Sequence, residues 1–168
     1  MKGTGSWLFF CNTKIYPIDD FLNSGEIELT WETHESQKVL FNIGDQGVIR
    51  VSLDKRTKAE LNGKQKLVSG VYAIVQIISI PDYQLDSDLG RWPNQEKSKG
   101  IRLRVWLKVL KNLIGSPISI KEVHNIVETN KDGALIKGRR LNSFPLSRFA
   151  FNKIDEISDL RLAEIENG

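Results

Sequence analysis

The chain has 168 residues, 24 of them basic and 21 acidic, with two His, one Cys and four Trp, and 40% of it is hydrophobic. That is enough apolar material for one domain with a core, which excludes wholesale disorder; one Cys excludes an internal disulfide, and one Cys with two His excludes a Cys-rich structural zinc site. No apolar run reaches the roughly 18–20 residues of a membrane span, and MKGTGSWLFF has neither the apolar length nor the cleavage site of a signal peptide, so the expectation is a soluble, reduced, cytoplasmic protein with no membrane partner.

Ser6–Cys11 (SWLFFC) is a continuous apolar run, the pattern of a buried strand. Pro17 followed by Ile-Asp-Asp-Phe-Leu predicts a short helix, with Pro at its first position and acids in its first turn, stopped by Asn23-Ser24-Gly25. Glu26–Thr33, around Trp31, fits neither period. After the turn Ile43-Gly44-Asp45, the stretch 46–52 (QGVIRVS) alternates as a half-buried strand does. Residues 54–66 are polar and Lys-rich with an Asn62-Gly63 turn, and predict an exposed loop or hairpin tip. Val68–Ile80 is β-branched, aromatic and long, and its Gly70 predicts a bulge or a close backbone approach. Residues 81–100 have no period, and a loop near 20 residues long in a small domain is usually functional. Residues 101–110 alternate strictly, with Ile101, Leu103, Val105, Leu107 and Val109 on one face and Arg102, Arg104, Trp106, Lys108 and Leu110 on the other. Ser119-Ile-Lys-Glu122 has capping-box spacing and opens a helix; 133–139 reads as a short strand or turn, and 147–166 as a C-terminal helix that becomes more polar toward its end. About five strands and three short helices in mixed order predict a small α+β domain around a curled sheet or barrel.

The net charge of +3 is unevenly placed. Residues 155–168 hold five acids and one base, which leaves 23 bases against 16 acids, a net +7, in residues 1–154. A basic body points toward a polyanion. Catalytic chemistry finds little support: no Gly-rich phosphate loop, HExxH or G-x-S-x-G occurs. Cys11 reads as a buried small hydrophobe, His34 and His124 as surface or helix residues, and Asp19-Asp20 as helix N-terminal charge. Asp82, Asp86 and Asp88 read as a solvated loop rather than a cation site. Trp7 reads as core. Trp31 and Trp92, in polar surroundings, are either plugs beneath their loops or a stacking surface.

The order of these pieces resembles the EVE domain, a PUA-like barrel related to the YTH readers of methylated RNA. WLFFCN before Ile18-Asp19-Asp20-Phe21 resembles its opening strand and helix. Trp31 resembles its tryptophan after the first helix, and Gly44-Asp45 with the next strand resembles its GD turn and strand. Ser69–Ala73 resembles its Gly-containing return strand, Gly100–Val109 its long strand after the variable loop, Pro117-Ile118-Ser119 its step into a helix, and Asn142–Ser147 (NSFPLS) the approach to its last helix. The likeness covers roughly residues 6–155. One departure is Phe10-Cys11-Asn12-Thr13, where the common bacterial form has Lys-Ser-Glu-Pro; the WLFxxNP-like openings of EVE domains joined to HNH nucleases or McrB-type GTPases, in modification-dependent restriction, are more similar.

The resemblance implies a fold of five to six curled strands with short flanking helices, an EVE-like domain over residues 1–155 and an acidic helix end or linker over 156–168. It implies a non-enzymatic reader, without metal or cofactor, that flips a modified base of double-stranded DNA into an aromatic cage; the alternative is a PUA-like module for modified or structured RNA. Trp31 and Trp92 would be cage walls, Asn12 and the backbone at Glu32 would read the base edge, and Ser52 and Ser69 would line the other side. Lys55, Arg56, Lys58, Lys97, Lys99, Arg102, Arg104, Arg139 and Arg140 would meet the nucleic-acid backbone. A nuclease or GTPase region, if the parent protein has one, would supply any cutting.

Overall fold

The computed structural model describes residues 4–87, 100–126, 135 and 142–167. Its strands are β1 (Ser6–Cys11), β2 (Glu28–Glu32), β3 (Gln46–Val51), β4 (Gly70–Ile77), β5 (Asp82–Gln84), β6 (Arg102–Asn112), β7 (Ile118–Ser119) and β8 (Ser143–Pro145). The helices are α1 (Ile18–Ser24), α2 (Lys58–Leu61), α3 (Ile120–Ile126) and α4 (Arg148–Asn167), with a 3-10 helix at Glu35–Leu40. One sheet runs β2-β6-β4-β3-β1-β8, with β5 added beside β6 and β7 beside β4. Among the described strands only β1 and β3 pair in parallel, from Ser6 opposite Gln46 to Cys11 opposite Val51. The chain between them makes the long excursion that a parallel pair requires, through α1 and β2 on the far edge.

The sheet curls into a half-barrel. Register shifts at Ile49/Arg50 and at Ile74/Val75 add twist where it bends. Across the curl, the Trp31 Nε1–H donates to the Asn142 carbonyl and the Gln37 Nε2–H to the Ser143 carbonyl, so the β2 end of the strand path is tied to the β8 end. Alternation then divides the core in two. Trp7, Phe9, Cys11, Ile49, Val51, Val75, Val105 and Leu107 face inward with Ile18, Phe21 and Leu22 of α1. Leu8, Val48, Val71 and Ile74 face outward under Val123 of α3 and Ala150, Phe151 and Ile154 of α4. This two-sided cover is why β1 is an unbroken apolar run. It also corrects the reading of β3 as half-buried, since even Arg50 is buried.

Three local expectations hold in detail. Ser119 and Glu122 make the reciprocal capping bonds that open α3. Asp45, after Gly44 (φ 95°), accepts from the Trp7 indole N–H at 3.1 Å and from the Asn42 N–H at 3.1 Å. Gly70 is a close approach: a Cβ there would lie 2.2 Å from the Ile118 carbonyl oxygen. Gly70→Ala is therefore expected to cost about 1–3 kcal/mol through displacement of β7, read as a lowered thermal midpoint. Elsewhere Pro17 sits one position earlier than expected, at the cap of α1 rather than inside it, and the ambiguous segment around Trp31 is strand β2. Ile101, expected on the buried face of β6, precedes that strand and is exposed. The polar stretch 54–66 is not simply exposed: it contains α2, with a Thr57–Glu60 capping box, and two buried charges. Residue 155 falls within α4, where Lys111 bonds both Asp155 and Asp159 and Glu122 pairs with Arg161. The segment 133–139 lies outside the described residues except for buried Leu135.

Candidate functional site

The carboxyl ends of β1 and β3 and the amino end of β4 form one rim. Ser52 donates from N and Oγ to the Cys11 carbonyl at 3.3 and 3.5 Å, and Ser69 Oγ donates to the Val51 carbonyl at 3.2 Å. Asn12, next along from Cys11, is exposed, and its carbonyl accepts from the N–H groups of Ile15 and Tyr16 in a turn. Trp31 reaches the same strand end from β2: the Asn142 carbonyl that accepts its indole also accepts the Phe10 N–H at 2.9 Å. Asn12, Ser52 and Ser69 thus share the rim, with the Trp31 indole anchored beside it.

Trp31 is not the exposed wall that its polar neighbours suggested. It is 7% exposed and packs edge-on to Phe9 at 6.0 Å. The reason is strand alternation: Leu29 and Trp31 of β2 point into the half-barrel, while Glu32 takes the opposite face, across from Arg104 of β6. Only the backbone at Glu32 stays with Trp31. Two buried groups near this rim escaped the sequence reading. Thr33 Oγ1 has no hydrogen-bond partner among the described residues. Arg50, opposite Phe10 in the β1–β3 register, lies over the Phe10 ring at 4.9 Å, and burial pulls its pKa down to about 10.

Beneath the rim lies a buried ionic node. Arg56, 3% exposed, makes paired hydrogen bonds to both oxygens of Asp54 (Nε at 3.0 Å, Nη2 at 2.8 Å) and of Asp19 (both at 3.1 Å). Asp54 also accepts from Thr13 Oγ1, from the Leu67 N–H and from the Arg56 N–H. Lys64 approaches Asp19 at 3.4 Å from the surface and bonds Asp20. Burial alone would raise both carboxyls; the Arg56 hydrogen bonds reverse that, aided by backbone N–H groups at Asp54 and by Lys64 at Asp19, and hold them below the ordinary carboxylate range. The node locks together the loop after β1, the start of α1 and the loop after β3. Asp19 is therefore more than helix-terminal charge.

The cations divide accordingly. Lys55, Lys58 at the start of α2, and Lys66 are exposed between β3 and β4, and Arg102 is exposed at the start of β6. Arg56 and Arg104 are corrections: each is buried and paired with an internal carboxylate, so neither is presented to a phosphate. Arg104 is 1% exposed and bonds Asp86 at 3.2 Å. Asp86 is accordingly buried too, not part of a solvated loop. Trp92, Lys97, Lys99, Arg139 and Arg140 lie outside the described residues. Cys11 is buried, and desolvation pushes its thiol up to about 12, which suits core rather than nucleophile. His34 is exposed and caps the 3-10 helix, and His124 is exposed on α3. No helix among the described residues is long and apolar enough to cross a membrane.

No protein-family model matches the chain, and no curated protein matches it. Solved structures do. A hypothetical protein from Leishmania major superposes with a TM-score of 0.60 at 16% identity, over 95% of this chain and 97% of that one. Human THYN1, solved in complex with DNA containing 5-methylcytosine, gives 0.55 at 11% identity over 91% and 96%. The DUF55 domain of human thymocyte nuclear protein 1 gives 0.53 at 13% identity over 92% and 99%. Such identities speak for architecture alone, and over nearly the whole chain the architecture is similar to that of the THYN1 and DUF55 structures.

Proposed function

We propose that this protein is a modified-base reader on double-stranded DNA, which holds a flipped methylated or hydroxymethylated base at the rim beside Trp31. The observation that carries this reading is a fold shared over nine-tenths of the chain with a human protein solved on DNA containing 5-methylcytosine. The gathering of Asn12, Ser52 and Ser69 at one rim, with Trp31 behind it and Lys55, Lys58 and Lys66 alongside, supports it. Asn12 and the two serines supply polar groups for a base edge, an indole supplies stacking, and the lysines supply phosphate contacts. In this reading the chain binds and does not cut. Its place is the recognition module of a modification-dependent restriction system, with cleavage by a separate nuclease or GTPase-driven region.

Fluorescence polarisation with a duplex carrying one 5-methylcytosine and its plain counterpart tests this. Tighter binding to the methylated duplex is expected, weakening steeply with salt as counterion release requires. Equal affinity for the two duplexes overturns the reading. Competition with methylated single-stranded RNA tests the polymer: displacement at lower concentration by RNA than by methylated DNA transfers the role to RNA.

A further inference from the structure

Two large apolar side chains stand exposed at the rim. Leu53, directly after Ser52, is 69% exposed, and Val68, directly before Ser69, is 58% exposed. They are neighbours. Val51 pairs with Gly70 in the β3–β4 ladder, and three residues further out on each segment Asp54 accepts from the Leu67 N–H at 2.9 Å, which brackets Leu53 against Val68. Their backbone is fixed. The Val68 carbonyl accepts from the Tyr72 hydroxyl at 2.8 Å, and Asp54 is held by Arg56 and Thr13. The protein thus holds an apolar pair outward on a braced loop, with exposed Lys55 and Lys66 one to two residues away.

We propose that Leu53, backed by Val68, is the wedge that enters the DNA base stack and fills the space left by the extruded base. The occupant is a duplex rather than an apolar protein partner because the flanking exposed charges are lysines, which complement phosphates on either side of an opened step. Apolar wedges of this kind unstack base steps in other DNA-binding proteins, and extrusion leaves a void that an aliphatic side chain can occupy. The proposal rests on the base-reader reading above and adds to it the residues that open the duplex.

The test compares the full chain with L53A/V68A on three probes: a duplex with one 5-methylcytosine, the plain duplex, and the methylated single strand, which has no paired stack to open. The expected result is a loss of about tenfold or more for the methylated duplex, with binding to the methylated single strand unchanged. Leu53→Met, which keeps apolar bulk, should retain wild-type duplex binding. Both altered side chains of the double variant are exposed, and an unchanged circular dichroism melt confirms that it folds. If the wild type prefers the methylated duplex and L53A/V68A preserves that preference and affinity, the wedge is overturned while the reader stands. An equal loss on duplex and single strand also overturns the wedge, since it places these residues in the base pocket. If the wild type shows no preference at all, the reader reading falls and the wedge with it.

Discussion

Arg56→Met is expected to destabilise the protein by about 3–5 kcal/mol, read as a lowered urea midpoint at pH 7. The guanidinium is the hub of the ionic node, with paired hydrogen bonds to Asp54 and Asp19, and all three side chains are almost fully buried. The node's strength does not lie in net Coulomb gain. Desolvation of three ions offsets much of their attraction, and an apolar replacement of the whole cluster could be as stable. What makes the single change costly is what it leaves behind: two buried carboxylates, of which, among the described residues, Asp19 keeps a cation in Lys64, itself about one-third exposed, and Asp54 keeps none. Exposed ion pairs contribute at most about 1 kcal/mol, so a loss that small would show that water reaches the node.

The pH dependence gives the sign independently. The native carboxyls of Asp19 and Asp54 are held below their ordinary values, so their stabilising contribution is complete above about pH 4–5, near the unfolded carboxylate pKa, and is lost as pH falls through the native values. In Arg56→Met the native carboxyls lose the partner that holds them down. The stability gap between wild type and variant should therefore be widest near neutrality and shrink between about pH 5 and 3. A gap that stays constant across that window would remove the node as its cause. Because the node ties together the loops carrying Asn12, Ser52 and Leu53, the variant should also weaken binding in the folded fraction.

The same node shows where sequence reading stops. Local rules suffice when their determinants lie within a few residues: the β1 run, the Ser119–Glu122 box, the Gly44-Asp45 turn and Gly70 are each specified by neighbours in the chain. Residues 54–66 look like a solvated loop by the same rules, since five cations and few apolar residues carry no period. Their burial depends on Asp19, 37 positions from Arg56, and no local pattern encodes that pairing. Arg104 is a second case. Alternation in β6 places it correctly on the face opposite Leu103 and Val105, and the resemblance assigns it to the nucleic-acid backbone. The turn back through Asp86 and Ser87, which bond Thr30, covers it instead. The candidate rim was legible only through resemblance, because Asn12, Ser52 and Ser69 are ordinary strand-end residues until the β1–β3–β4 register brings them together.

Trp31→Ala is expected to cost about 3–5 kcal/mol of stability and, under the proposed function, to remove discrimination between methylated and plain DNA. The two effects must be separated, because the indole is both packed on Phe9 and bonded across the curl to Asn142. Trp31→Phe does so. It keeps a flat aromatic face against Phe9 and loses one hydrogen bond; the Asn142 carbonyl still accepts from Phe10, so no buried acceptor is orphaned and that part of the loss is about 0.5–1.5 kcal/mol. Binding is then measured at a temperature where each variant is folded by circular dichroism. If the indole is a wall of the cage, Trp31→Ala still binds the methylated duplex roughly tenfold or more weaker, consistent with about 1–3 kcal/mol of stacking per base, while plain DNA is unaffected and Trp31→Phe falls between. If folded Trp31→Ala discriminates as the wild type does, the indole is a strut of the half-barrel and not a wall. Its 7% exposure adds a kinetic signature to the first outcome. A base can stack on so enclosed a ring only after its surroundings shift, so association with the methylated duplex should be slower than the roughly 10⁵–10⁷ M⁻¹s⁻¹ of preformed sites.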